Sequence, residues 1–244
     1  MSSDAVFVAD SVTKSFGTRR ILHSASLWAR AGELTVLVGS NGSGKSTLLR
    51  CATGLLSAES GTVRFAGQVY TRPRLEQLAR AGLFYMPQDL LLSPAIPVRA
   101  QLAGFAAMFA TDQFDAVVDL LELRDVLDQW PITLSGGERR RIDIAAALLR
   151  RPRCLLSDEP LAKVDPRDRE LVISAFRALA EGGTAVVFTG HEIEDVLGAA
   201  DHVIWMTAGT THSLGPAASA REHHQFRREY LGPTDRKSLR ATVE

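Results

Sequence analysis

Residues 39 to 46 read Gly39-Ser40-Asn41-Gly42-Ser43-Gly44-Lys45-Ser46, with Thr47 following. This is the G-x-x-x-x-G-K-[ST] pattern, and its chemistry is the binding of phosphate. Gly42 and Gly44 let the backbone curl until successive N–H groups point at phosphate oxygens. The helix that opens behind them adds the positive end of its dipole. Lys45 supplies a point charge for the β- and γ-phosphates, and Ser46 a hydroxyl for Mg²⁺. The pattern arises by chance in roughly one chain of this length per hundred, so its context decides: a strand must precede it and a helix follow. Both are indicated here. The residues imply a nucleoside triphosphate and leave its purpose open, since kinases, GTPases and motors share the loop.

A second anion site is written into Leu134-Ser135-Gly136-Gly137-Glu138, which runs into Arg139-Arg140-Arg141. The two glycines after Ser135 expose N–H groups at the head of a helix. One chain thus carries two phosphate-binding helix heads, far apart in sequence. A single triphosphate could touch both only if the second head came from another subunit.

The elements that must position these groups alternate between strand and helix. Leu34–Val38, Cys154–Ser157 and Ala185–Phe188 are short apolar runs rich in β-branched residues, as expected of parallel strands covered on both faces. Ser46–Thr53, Arg139–Arg150 and Asp168–Glu181 read as covering helices, the last stopped by Gly182-Gly183. Val6–Val8, Leu27–Trp28 and Thr62–Phe65 resemble antiparallel strands joined by Gly-containing turns. From Ala95 to Leu134 no strand is indicated; Phe114, Val117, Val118 and Leu121, then Leu123 and Leu127, recur at helical spacing. A last helix is expected over Arg221–Leu231. The fold class is α/β: a P-loop NTPase core with a mostly parallel sheet, an N-terminal antiparallel β-subdomain and an inserted helical subdomain. The division expected is one unit over 4–232, with core about 4–90 and 145–232, helical subdomain about 91–144, and a flexible tail 233–244.

With these motifs in this order, the chain resembles the ATP-binding cassette (ABC) ATPases, whose signature is LSGGQ or LSGGE; the resemblance runs from about Val6 to Val203. In that family two cassettes pack head to tail and enclose two ATP molecules. The resemblance implies that Ser135, Gly136, Gly137 and Glu138 act in trans on the ATP held by Gly39–Thr47 of the other copy. Phe16 stands where the family stacks an aromatic ring on adenine. Gln88 matches the Q-loop glutamine that reaches Mg²⁺ or the attacking water. Asp158 matches the aspartate that, with Ser46 and Gln88, holds Mg²⁺, and Glu159 the general base. Asp165 matches the D-loop aspartate and His191 the switch histidine at the γ-phosphate. The catalytic set implied is Glu159, His191, Gln88 and Lys45. Two departures are visible: Ser157 replaces an apolar residue, and Ala162-Lys163 replaces the usual serine and alanine of the D-loop.

The resemblance also implies ATP and Mg²⁺ as cofactors, a second cassette (the same chain or a different one) and a transmembrane permease as partners. A helix of that permease would dock beside Leu90–Gly104, and Leu91 and Leu92 are candidates for the contact. Cargo and direction of transport are not legible. The alternative is a single-cassette ATPase of an iron–sulfur scaffold complex. Tyr230-Leu231-Gly232 is similar to the ending of cassettes of lipopolysaccharide export or branched-chain amino acid uptake.

Bulk properties narrow the field further. In 244 residues, 28 basic side chains balance 28 acidic ones, so no field of one sign draws the molecule to nucleic acid, and none is expected as a partner. The longest apolar run, Leu102–Ala110, falls short of the ~20 residues needed to span a bilayer. Membrane contact is therefore expected only through a partner, at the inner face of the cytoplasmic membrane. Cys51 and Cys154 have no metal-ligand spacing and read as small buried hydrophobes of a reduced, cytoplasmic protein. The histidines other than His191 are expected at the surface or in packing.

Overall fold

The computed structural model describes residues 4–89, 91–162, 164–190 and 193–231. Two long strands, β1 (Ala5–Phe16) and β2 (Arg19–Arg30), pair as an antiparallel hairpin with several register shifts. The apolar β3 (Leu34–Val38) leads into the phosphate loop and helix α1 (Lys45–Ala52). Then come β4 (Ser60–Phe65), β5 (Gln68–Tyr70), α2 (Leu75–Arg80) and β6 (Leu83–Met86). Helices α3 (Val98–Met108), α4 (Phe114–Leu120) and the long α5 (Gly136–Arg150) follow, with two short 3-10 turns between the last two. Beyond α5 lie β7 (Cys154–Ser157), α6 (Pro166–Glu181), β8 (Ala185–Gly190), α7 (Ile193–Ala199), β9 (His202–Thr207), β10 (Thr210–Gly215) and α8 (Ala217–Glu222).

All ten strands share one sheet, in the order β5-β4-β1-β2-β10-β9-β3-β8-β7-β6. From β9 to β6 every neighbour is parallel, whereas the β5-β4-β1-β2 end is antiparallel. Side-chain alternation along the parallel strands sends Leu34, Val36, Leu155, Val186, Phe188, Val203 and Trp205 to one core. Leu37, Cys154, Leu156, Ala185, Val187, Ile204 and Met206 go to the other. That is why these strands are apolar throughout rather than alternating. The helices α3–α6 cover the first face, while β1, β2 and β4 with α1 and α2 close the second.

The expected strands at Leu34–Val38 and Cys154–Ser157 coincide with β3 and β7, and the strand from Ala185 runs on to Gly190. The antiparallel pair is far longer than its apolar centres suggested, because hairpin pairing carries polar residues along. The helix expected over Arg221–Leu231 is corrected. After α8 the chain bends at His223 (ψ 113°), whose Nδ1 accepts from the Phe226 N–H. A short turn His224–Phe226 and a π-helical turn Arg227–Leu231 follow. His223 and Phe226 both pack edge-on to Trp205, a tertiary contact that periodicity does not register.

Both cysteines are free and buried, and burial pushes the Cys51 thiol up to about 11 and the Cys154 thiol higher still. The apolar stretch considered for docking is mostly spent internally: Leu92, Val98, Leu102 and Ala106 belong to the first core, with Leu91 packed on it. Leu90 lies outside the described residues. The ring contacts of His202, His212 and His223 with Trp28 and Trp205 place these histidines in packing.

Candidate functional site

The phosphate loop sits at the carboxyl end of β3. Gly42 (φ 81°) and Gly44 (φ 111°) adopt the left-handed conformation that turns the loop inward. A side chain at Gly44 would also run into Met206 and Leu22. Lys45 is buried, and its ammonium donates to the carbonyls of Gly39 (2.7 Å) and Ser40 (3.2 Å). Burial pulls its pKa down, while the charges of Glu159 and Asp158 pull it up.

Across the loop the end of β7 delivers two carboxylates. Asp158 Oδ1 accepts from Ser46 Oγ (3.0 Å) and from Thr189 Oγ1 (2.8 Å), and Thr189 Oγ1 in turn accepts from the Glu159 N–H (2.7 Å). Thr189 can do this because β8 lies between β3 and β7 in the sheet. Glu159 holds a positive φ of 47°, a conformation costing a non-glycine residue about 1–3 kcal/mol, and such strain gathers at working sites. Gln88, beyond the end of β6, donates from Nε2 to Glu159 Oε2 at 3.1 Å. Ser157 keeps β7 in register with Met86 and Phe188, yet its buried hydroxyl has no hydrogen-bond partner among the described residues.

Phe16 ends β1 with its ring 52% exposed, so it is no core residue. It lines one cleft together with Arg19, Ile21, Asn41, Gly42, Gly44, Lys45, Ser46, Thr47 and Glu159. The structure thus gathers the predicted Phe16, Gly39–Thr47, Gln88, Asp158 and Glu159 around the loop.

It does not bring the signature there: Ser135, Gly136, Gly137 and Glu138 are absent from the cleft lining. They start α5, where Ser135 Oγ accepts from the Glu138 N–H and the Glu138 carboxylate accepts from the Ser135 N–H. This is a capping box. Ser135 and Gly136 face solvent while Gly137 is buried. Asp165 caps α6 by accepting from the Asp168 N–H at 3.0 Å. His191 and Lys163 lie outside the described residues.

Several participants were not foreseen. Thr189, two residues before His191, has no role that spacing assigns, and only the sheet order reveals one. The Tyr230 hydroxyl is hydrogen-bonded to the Gly39 backbone, and burial raises its pKa. Arg140 donates to the carbonyls of Pro87 (3.1 Å) and Gln88 (2.7 Å). Asp143, one turn on, has its carboxyl pushed by burial up to about 7, against the pull of Arg140 and of the Leu91 and Leu92 N–H groups. Arg141 reaches Asp168 (3.1 Å) and the Leu121 carbonyl (2.9 Å). Of the three arginines at this helix start, Arg140 and Arg141 are structural ties.

A glycine-rich loop between a parallel strand and a helix, facing paired carboxylates on a nearby strand end, defines a P-loop nucleotide-binding core. The family described as ABC transporter matches residues 22–162. A probable ABC transporter ATP-binding protein of Azorhizobium caulinodans is 31% identical over 95% of this chain and 84% of its own length. A phosphonates import ATP-binding protein of Nocardia farcinica is 35% identical over 88% of this chain and 87% of its own. The structure of a nucleotide-free ATP-binding cassette from an ABC transporter superposes with a TM-score of 0.77 at 23% identity, over 89% of this chain and 94% of that one. This chain belongs to the ABC transporter family, as an ATP-binding subunit. Among the described residues no helix is long and apolar enough to cross a membrane.

Proposed function

We propose that the chain hydrolyses ATP as the motor of a transporter, two cassettes closing head to tail over two nucleotides and driving a transmembrane permease. The observation that carries this reading is Glu159, held in a strained conformation at the mouth of the phosphate-loop cleft and bonded to Gln88. In this reading Phe16 stacks on adenine, the loop N–H groups and Lys45 hold the β- and γ-phosphates, and Glu159 takes the proton of the attacking water, a role typically worth about 10²–10⁴ in rate. Gln88 orients that water beside Glu159. His191 is assigned to the γ-phosphate. Ser135, Gly136 and Gly137 complete the site from the second copy, which the exposure of Ser135 and Gly136 at the head of α5, away from the cleft, supports.

The oxygen donors suit Mg²⁺: the Ser46 hydroxyl and Asp158 carboxylate lie 3.0 Å apart, with the Gln88 amide nearby through Glu159. Mg²⁺ characteristically uses one or two carboxylates plus substrate phosphates, and among the described residues there is no cluster of three or more His, Cys, Asp or Glu fit for a metal. When bound, Mg²⁺ would neutralise charge building on the phosphates.

The helical lobe is assigned to about 91–144, although α5 runs unbroken through that boundary to Arg150. With a permease as partner, the subunit would sit at the inner face of the cytoplasmic membrane. Uptake is the favoured direction, because the phosphonates relative and a molybdenum import relative of Yersinia pestis, 37% identical over 75% of this chain and 52% of its own length, are both named for import.

The test is Glu159→Gln. It should bind ATP as the parent does, lose at least about a hundredfold in turnover, and accumulate as an ATP-locked dimer. Undiminished turnover would refute the assignment of Glu159.

A further inference from the structure

The segment after β6 leaves the sheet at Pro87, and its described residues have no regular structure until α3 begins at Val98. Its backbone groups therefore have no ladder to join, and those buried must find side-chain partners. Arg140 and Asp143 of α5 supply them. They are one helical turn apart, 7% and 3% exposed, and paired at 3.5 Å. Arg140 donates to the carbonyls of Pro87 and Gln88, and Asp143 accepts from the N–H groups of Leu91 and Leu92. One ion pair thus holds the chain on both sides of residue 89. A buried ion pair seldom stabilises a protein more than apolar side chains of the same volume would, so packing alone does not account for it.

The first of the two grips falls on a functional residue. Arg140 Nη2 holds the Gln88 carbonyl at 2.7 Å, and the amide of the same residue reaches Glu159 Oε2 at 3.1 Å. Gln88 is exposed and follows a proline, so its own surroundings do little to fix it. We propose that Arg140 and Asp143 are positioning residues for ATP hydrolysis: a clamp on the signature helix that sets where Gln88 presents its amide to Glu159. This rests on the hydrolytic reading above. It adds that the helix opened by Ser135 and the loop carrying Gln88 are fastened within one copy, so that a displacement of one carries the other.

The experiment uses the full chain. Turnover, affinity for a fluorescent ATP analogue and hydrogen exchange of the loop amides are compared in the parent, Gln88→Ala, Arg140→Met, and Gln88→Ala with Arg140→Met. Loss of bonds from a charged donor should cost turnover about tenfold or more, while affinity stays within about twofold because no phosphate contact is touched. If Arg140 acts through Gln88, adding Arg140→Met to Gln88→Ala should cost nothing further. The Leu91 and Leu92 amides should exchange at least about tenfold faster in Arg140→Met.

Unchanged exchange, a turnover loss that multiplies with that of Gln88→Ala, or affinity falling in step with turnover would each overturn the clamp. If Arg140→Met leaves Asp143 as a lone buried charge and the chain does not fold, Arg140→Met with Asp143→Leu replaces the pair by apolar groups of similar volume, and the same outcomes decide. The exchange readout needs no catalysis. A parent without turnover therefore refutes the hydrolytic reading, and loop amides indifferent to Arg140 refute the clamp.

Discussion

Gly137 is where the signature presses hardest on its own chain. A Cβ built there would fall inside the contact radius of Asp168 Oδ2, although its distance to Asp168 Cβ would be an ordinary 3.4 Å. The obstacle is thus the carboxylate rather than the helix beneath it. That carboxylate cannot swing away freely, because it pairs with Arg141 at 3.1 Å with both side chains only 12% exposed. Gly137→Ala should gain about 1 kcal/mol in helix propensity. Against this stand overpacking, about 1–3 kcal/mol, and the loosening of a largely buried pair, about 1–2 kcal/mol more. The net cost is about 1–4 kcal/mol. For a chain of this size that lowers Tm by roughly 2–16 °C, taking ~2–4 °C per kcal/mol. Asp168→Ala will also be destabilised, since Arg141 then keeps the carbonyls of Leu121 and Glu122 and a looser 4.0 Å ion pair with the Glu122 carboxylate. In the Asp168→Ala background, however, Gly137→Ala should cost nothing or stabilise slightly. A four-way thermal and denaturant cycle measures the coupling, expected at about 1–5 kcal/mol as the difference between the two costs. Equal costs of Gly137→Ala in both backgrounds would refute the reasoning, as would a rise in Tm from Gly137→Ala alone.

Lys45→Ala should weaken binding of a fluorescent ATP analogue by roughly 10- to 100-fold, the value of charge-assisted hydrogen bonds to phosphate; an unaltered Kd would remove Lys45 from the phosphate site. Ser157→Ala should raise Tm by roughly 2–4 °C, as about 1 kcal/mol is recovered when a buried hydroxyl without a hydrogen-bond partner among the described residues is removed; a fall in Tm would show that the hydroxyl is satisfied after all. His202 is packed on Trp28 and bonded to Ser213, and burial, with the Arg30 cation behind it, lowers its pKa from 6.5 to about 4. The fold favours the neutral ring, so its contribution is complete above pH 6.5 and lost as pH falls through 4. The full shift would be worth about 3 kcal/mol, but a half-exposed ring in screening solvent justifies about 1 kcal/mol. His202→Gln should flatten the denaturant-midpoint profile between pH 6.5 and 4, and a profile of unchanged slope would contradict this.

The parts of the fold that sequence exposes are those where composition and geometry have one solution. Leu34–Val38 buries both its faces, so every residue is apolar and the strand ends where Gly39 begins the loop. The helices capped by Ser135 and Asp165 were expected to start at Arg139 and Asp168, three and two residues late, because residues of the first turn were read for nucleotide binding rather than as helix. β9 and β10 were not picked out. β9 is apolar but lies between polar, half-buried ends, and β10 (Thr210–Gly215) is mostly polar because it crosses from the parallel to the antiparallel part of the sheet, touching β2 at a single pair, Thr210 with Ser24. Thr189 escaped notice because its use depends on β8 lying beside β7, which is sheet order and not spacing. Phe16 is legible only through the resemblance: a phenylalanine near a turn can equally be core, and its 52% exposure at the end of β1 is a tertiary fact.

The head of α5 shows why a motif can be legible while its attachments are not. The helical repeat turns Ser135 and Gly136 outward, to solvent and, in the proposed dimer, to a partner's nucleotide. It turns Gly137, Arg140 and Arg141 inward, onto Asp168, the loop carbonyls and the end of α4. The outward residues are specified by what they bind, so their types are restricted and recognisable. The inward ones are specified by neighbours 20 to 53 positions away in sequence, so any residue that reached the same acceptors would serve, and nothing local marks them. The consequence is mechanical. Two hydrogen bonds at 2.7 and 2.9 Å and an ion pair at 3.1 Å, from adjacent residues of one helix, tie three separate segments together. A force applied at Ser135 therefore arrives at the Gln88 loop, at α4 and at α6 without any element between them having to bend.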